Sequence, residues 1–212
     1  VVSTSGSASP SFGQSTASAD FLLAFATSNN PGSSFPLSLS GSGWSLVASG
    51  GGSYNWAGLW MKENCSSSES APSFSDSGSS VMAASLAEFS GVATSSPLDH
   101  FGVYYGFPAG ATASGVNAQD NDLVVGLATF NGSNASPTVG IGLVGSTNFA
   151  LTNTAWLSNS NGNADEPFWG FAYGVDAYSS ASYAQAVPNS VVPTISEYEN
   201  APVCIVASFK AA

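Results

Sequence analysis

An all-β sandwich assembled from two related halves is the fold this sequence predicts, on three observations. The first is a repeated strand signature, in which ADFLLAFAT (Ala19–Thr27) and NDLVVGLAT (Asn121–Thr129) each place an aspartate before an apolar run that closes on Ala-Thr. The second is that the segments after each signature also correspond. WAGLWMK (Trp56–Lys62) is echoed by FWGFAYG (Phe168–Gly174), Trp44 by Trp156, and SVMAASLAEF (Ser80–Phe89) by NAPVCIVASF (Asn200–Phe209). The offsets are 122 − 20 = 102, then 170 − 58 = 112 and 156 − 44 = 112, then 209 − 89 = 120, a drift that loop insertions produce. The third is period-two alternation of apolar residues between Gly, Ser, Pro and Asn clusters, with no helical period anywhere.

In chain order, the first eighteen residues form an arm of small and polar residues with one β-prone patch, Val1, Val2, Ser3, Thr4 and Ser5. Such a patch suits an extended strand laid on a sheet edge, its own or a neighbour's. From Phe21 the strands follow at regular spacing: Phe21, Leu23 and Phe25 share one face, Trp56, Gly58 and Trp60 another, and Val81, Ala83 and Ala87 lead to Phe89. SAPSFSDSGSS, from Ser70 to Ser80, and SNSNGNADEP, from Ser158 to Pro167, are loops by composition. HFGVYYG, in which Phe101, Val103 and Tyr105 alternate with His100, Gly102 and Tyr104, bridges the halves. TVGIGLV turns Val139, Ile141 and Leu143 inward, and a further strand is expected at 181–187. Eight or more antiparallel strands in two sheets suit a jelly roll. The expected organisation is thus an N-terminal arm, 1–18, followed by a single jelly-roll domain, 19–212, whose half-repeats are about 19–100 and 121–212.

Composition narrows the function. Lys plus Arg is 2 against 13 Asp plus Glu, a net charge of −11, so the clustered cations that phosphate neutralisation needs are missing and nucleic acid is not an expected ligand. No apolar run is long enough for a membrane helix. A chain rich in Ser, Thr, Gly and Asn and only 7% charged reads as an extracellular or cell-surface protein. An even cysteine count in that setting makes a Cys65–Cys204 disulfide the expectation, with two free buried thiols as the other reading. Asn64, Asn131 and Asn134 fit the N-glycosylation pattern in segments that read as turns.

The order ADFLLAF, Gly43-Trp44, WAGLWMK, MAASLAEFSGV followed by SPLD, NDLVVGLAT and a closing SFK resembles jelly-roll modules of phage tail proteins and secreted bacterial surface proteins. The resemblance spans Ala19 to Lys210 and implies a fold rather than an activity. The arm adds a likeness to subunits of extracellular bacterial fibres, in which an N-terminal strand completes the sandwich of the next protomer. That likeness implies that Val1–Ser5 is the donated strand.

The search for chemistry finds little. His100 is the only imidazole, it stands beside Asp99, and the serines lack the Gly-x-Ser-x-Gly elbow of an esterase nucleophile. Glu88, inside an apolar strand, is the one carboxylate placed to act in glycoside hydrolysis. The oxygen-rich clusters Asp120-Asn121-Asp122 and Asp165-Glu166 match no dedicated calcium loop, and Asp20 and Asp122 read as turn residues before each first strand. No cofactor and no metal are expected. Most of the five tryptophans fall at core positions, while Tyr104, Tyr178, Tyr183 and Tyr198 are the better placed aromatics for a sugar. The expectation is therefore a non-enzymatic subunit of an extracellular filament that associates with copies of itself. A glycan-binding adhesin or tail-fibre module is the first rival, and a secreted glycoside hydrolase or lyase the second.

Overall fold

The computed structural model describes residues 2–3, 5–29, 34–52, 55–78, 81–105, 112–117, 122–131, 140–143, 153–157, 167–175, 182–186 and 203–212. Among them every regular element is a β-strand and every strand pairing is antiparallel. The first half holds β1 (Val2–Ser3), β2 (Ser7–Ala8), β3 (Phe21–Ser28), β4 (Leu37–Ser40), β5 (Ser45–Gly52), β6 (Asn55–Lys62), β7 (Ser73–Asp76) and β8 (Met82–Phe89). The second holds β9 (Leu98–Tyr105), β10 (Thr112–Asn117), β11 (Leu123–Asn131), β12 (Gly140–Leu143), β13 (Asn153–Leu157), β14 (Pro167–Val175), β15 (Ser182–Ala186) and β16 (Val203–Phe209). No helix long and apolar enough to cross a membrane is present among the described residues.

The strands form two five-stranded sheets, β1-β8-β3-β6-β5 and β13-β14-β11-β16-β9, and two three-stranded sheets, β2-β7-β4 and β10-β15-β12. Adding eight to each label of the first-half sheets, 1-8-3-6-5 and 2-7-4, returns the second-half orders. Registers coincide as well. Ala26 lies opposite Gly58 and Ala84, and Ala128 lies opposite Gly170 and Cys204, the positions reached by offsets of 102, 112 and 120. Trp44 and Trp156 do not follow this scheme: Trp156 pairs with Gly170, whereas Gly58 pairs with Ser49 and Trp44 precedes β5.

The two large sheets pack face to face. Phe21, Leu23 and Phe25 of β3, Ala57 and Leu59 of β6, Leu123, Val125 and Leu127 of β11, and Val203, Ile205, Ala207 and Phe209 of β16 interdigitate in one core, as alternation along each strand requires. Phe21 and Phe209 meet across it with ring centroids 4.7 Å apart. Toward the opposite end of these strands from that ring pair, the Oγ1 atoms of Thr27 and Thr129 are 2.6 Å apart, and Thr129 Oγ1 donates to Asn55 Oδ1 at 3.2 Å. The other face of the first large sheet buries Ala24, Ala26, Trp56, Trp60 and Met82 under Ala8, Leu37 and Phe74 of the small sheet, with Trp44 partly buried beside them. A third layer thus covers both buried tryptophans. The segment from Ser70 to Ser80, expected to be a loop, contains β7, because Phe74 and Asp76 turn inward while Ser73 and Ser75 face out. One apolar residue among hydroxyls was too weak a period-two signal to mark it.

Candidate functional site: the clasped arm and the sheet edges

The arm is part of the body rather than an appendage. Val2 and Ser3 pair with Ala83 and Met82 at the edge of the first large sheet, and Ser7 and Ala8 pair with Ser75 and Phe74 at the edge of the small one. Ala8 is buried against the tryptophan core, and the Asp76 amide donates to Gly6 O at 2.8 Å. The patch expected to complete a neighbouring copy therefore sits, at Val2 and Ser3, on its own chain; Val1 and Thr4 lie outside the described residues, and Ser5 is exposed. This placement fills, within one chain, the first two positions of the edge that the donated-strand expectation left vacant.

Residues 16–20 are held by a second, denser set of contacts. Buried Thr16 donates from Oγ1 to Ser66 O at 3.2 Å, accepts from the Glu69 amide at 2.8 Å, and receives the Ser68 amide on its carbonyl at 3.1 Å. The Ala17 amide donates to Glu88 Oε1 at 2.7 Å, and the Cys65 thiol donates to Ala17 O at 3.0 Å. Ala19 N–H to Cys65 O and Cys65 N–H to Asp20 O, at 2.8 and 3.0 Å, close the clasp and hold Ala19 at a φ of 68°. Glu69 fixes the opposing loop: it accepts from Lys62 Nζ at 2.7 Å and from the Ser66 amide and hydroxyl at 2.8 and 2.9 Å. The Lys62 hydrogen bond, with the Ser66 amide second, holds the Glu69 carboxyl below its ordinary pKa. Between the two anchored parts, residues 11–15 are exposed except for half-buried Phe12.

These contacts revise several residue expectations. Cys65 is a free, buried thiol, so the Cys65–Cys204 bridge is not made; burial pushes its pKa up. Cys204 lies in β16 opposite Ala128 and Tyr104. Glu88, the candidate acid, holds the arm by its Ala17 amide. His100 is about half exposed, with Nδ1 2.8 Å from Asp99 Oδ2. Asn64 is exposed in the bend after β6, Asn131 ends β11 rather than lying in a turn, and Asn134 lies outside the described residues. Asp120, Asn121, Asp165 and Glu166 also lie outside them, and buried Asp122 accepts the Ala211 amide at 3.3 Å. Among the described residues no group of three or more His, Cys, Asp or Glu is placed to hold a metal ion.

What period-two reading missed is where the sandwich is open. Phe101, Val103 and Tyr105 pair with Ala207, Ile205 and Val203, whose side chains are in the core, yet they are themselves 49%, 37% and 43% exposed. They lie over the edge strand β5, where a Cβ on Gly50 would fall 2.5 Å from Val103 Cγ1 and one on Gly52 would collide with the Tyr105 hydroxyl. The run Gly50-Gly51-Gly52 was the available signal, because consecutive glycines in a strand mark a close approach. Tyr104 and Tyr183 belong to β9 and β15, while Tyr178 and Tyr198 lie outside the described residues. Chemically, the assembled site is one of strand capture: backbone amides, carbonyls and hydroxyls that hold an extended segment. Compared with known proteins, the chain matches no family model, no curated protein and no solved structure.

Proposed function

We propose that this chain is a structural subunit of an extracellular homopolymeric filament or surface appendage, in which residues 1–10 pass between copies and sheet edges meet. The observation that carries this reading is the two-part anchoring of the arm. Residues 2–3 and 7–8 hold on by two short ladders, residues 16–20 by the clasp, and an exposed connector with open space around Gly13 precedes the clasp. A connector of that kind lets the leading ten residues leave their own slots and enter identical slots on a neighbour. Exchange keeps every contact while converting monomers into a chain, so the balance is set by concentration and by strain in the connector. Passed head-to-tail rather than swapped reciprocally, and with a rotation between copies that does not close a ring, such contacts propagate.

The cation-poor, hydroxyl-rich composition supports an extracellular setting, and exposed Asn64 is placed to carry a sugar. The engagement of Glu88 by the arm and of His100 by Asp99 supports a non-enzymatic role. As to architecture, we read each half as a jelly roll arising from duplication. A jelly roll pairs its first strand with the eighth, the eighth with the third and the third with the sixth, opposite a second-seventh-fourth-fifth sheet. The orders 1-8-3-6 and 2-7-4 support it, with the fifth strand moved onto the sixth.

The test is a disulfide probe at the ladder pair Ser7–Ser75, whose side chains are cross-strand neighbours. In a Ser7→Cys/Ser75→Cys variant, arm exchange gives an oligomer ladder on non-reducing electrophoresis that the unsubstituted chain lacks. A purely intramolecular bond at every protein concentration overturns exchange. Exposure of the Phe101 and Tyr105 rings on one face of β9 favours a second reading, a glycan-binding module. Glycan-array binding abolished by Phe101→Ala and Tyr105→Ala would replace the first reading with this one.

A further inference from the structure

The outward positions of β2, β4 and β7 are serines without exception. Ser7, Ser75 and Ser38 stand side by side across the three strands, and Ser73 and Ser40 form the next row. Each is exposed, while Ala8, Phe74 and Leu39 between them turn to the tryptophan core. Alternation carries the pattern past the ladders, where Ser5, Ser9 and Ser77 are exposed as well. Across the strands the hydroxyls meet in pairs, Ser38 Oγ with Ser75 Oγ at 2.7 Å and Ser40 Oγ with Ser73 Oγ at 2.6 Å. Nothing in the fold asks for such a grid. The counterpart sheet β10-β15-β12 has one row of Thr112, Ala186 and Gly140, one of Ala113, Gln185 and Ile141, and one of Ser114, Ala184 and Gly142. Strand propensity does not ask for it either, since threonine, valine and the aromatic residues fit a pleated surface best. Soluble surfaces ordinarily intersperse charges of both signs, and this face has none.

We propose that this face is a site of O-linked glycosylation, its serines carrying neutral sugars that a transferase adds from a phosphate-activated donor. The proposal rests on the extracellular setting of the reading above and not on arm exchange. Magnitudes set the other occupants aside. Three strands roughly 4.8 Å apart and about five residues long, at about 3.4 Å each, cover roughly 250 Å², whereas a stable contact with a second copy takes about 800 Å² from each partner. A free sugar finds neither a ring to stack on nor a cleft to enter, and the hydroxyls already bond one another. A covalent sugar needs only an exposed oxygen, and it supplies the hydration that charges do not. In the transfer a serine Oγ attacks the anomeric carbon of the donor. The new C–O bond forms as the bond to phosphate breaks, the phosphate leaves with the electron pair, and the serine proton passes to a base of the transferase. The modified oxygen has lost its proton but still accepts a hydrogen bond from its partner serine. Oγ atoms 2.6 or 2.7 Å apart leave no room for a ring on each, so one sugar per bonded pair is the limit.

The test is mass-spectrometric peptide mapping of the chain collected from outside its own cells. Mild alkali in the presence of a thiol eliminates a serine-linked sugar and leaves a mass tag at that residue, while a sugar on Asn64 survives. One tag within Ser38 and Ser75 and one within Ser40 and Ser73 are the expected result, each preceded by the mass of a sugar before alkali. A secreted Ser38→Ala/Ser40→Ala/Ser73→Ala/Ser75→Ala variant loses both tags and keeps the β-sheet circular dichroism of the natural chain. The map of the natural chain decides the matter by itself if that variant is not secreted. Unmodified masses for the peptides across 34–45 and 72–78 overturn the proposal, as do tags confined to serines outside the small sheet, or an added mass of phosphate in place of sugar. A bare face on a secreted chain overturns the modification alone, whereas a chain retained inside the cell overturns the extracellular reading and the modification with it.

Discussion

Gly50→Ala puts the closest approach between the large sheets to a quantitative test. The φ of Gly50 lies outside the left-handed range, so alanine meets no backbone obstacle, and the destabilising part of the effect is steric. The new Cβ would lie 2.5 Å from Val103 Cγ1 and 3.2 Å from Val203 Cγ1. Overpacking of this kind costs about 1–3 kcal/mol, while alanine recovers about 0.4–1 kcal/mol by restricting the unfolded chain. The net loss is roughly 1–2 kcal/mol, which for a chain of this size lowers Tm by roughly 2–8 °C. Val103→Ala alone removes a partly exposed side chain and costs about 0.5–1.5 kcal/mol. If the clash with Val103 is the cause, the double variant is more stable than the sum of the singles predicts, by about 1 kcal/mol or more. Chemical denaturation of the four proteins measures this. Strict additivity would refute the idea that β9 rests on the glycines of β5.

The other predictions concern buried polar groups. Because Thr129 spends its proton on Asn55, Thr27 must donate to Thr129; Thr129→Val strands two partners and Thr27→Val one, so the first costs more, by about 1–3 kcal/mol, and equal losses in denaturant would refute this order. Glu69 has a lowered folded pKa, so its stabilisation is complete at neutral pH and is lost as pH falls through that lowered value. The stability gap between the natural chain and Glu69→Gln should therefore shrink below the ordinary carboxylate range, and a gap independent of pH would contradict the Lys62 pairing. Cys65, buried with a raised pKa, should resist iodoacetamide at neutral pH until the chain is unfolded. Peptide mapping that finds Cys65 alkylated in the native state, or joined to Cys204, would disprove its assignment.

What could be read from the sequence follows from how each signal arises. The strands β3, β6, β11 and β16 were legible because both faces of a central strand are covered, which selects long apolar runs such as FLLAFAT. Register between them was legible because Gly58 and Gly170 mark one position in both halves. The small sheet was not, since LSLS and SFSD place one or two apolar residues among serines. The site was harder. That residues 2–3 and 7–8 lie on their own chain depends on where β7 and β8 end up in space, and nothing local to Val2 or Ser7 encodes it. Nor does Glu88 announce its partner, an amide that is 71 positions away.

Two residues of β1 stand where eight of β9 stand in the other half. That difference in length gives the molecule a front and a back. The flank stitched at two positions frays with less work than the flank stitched at seven, so opening of the molecule starts from its first half.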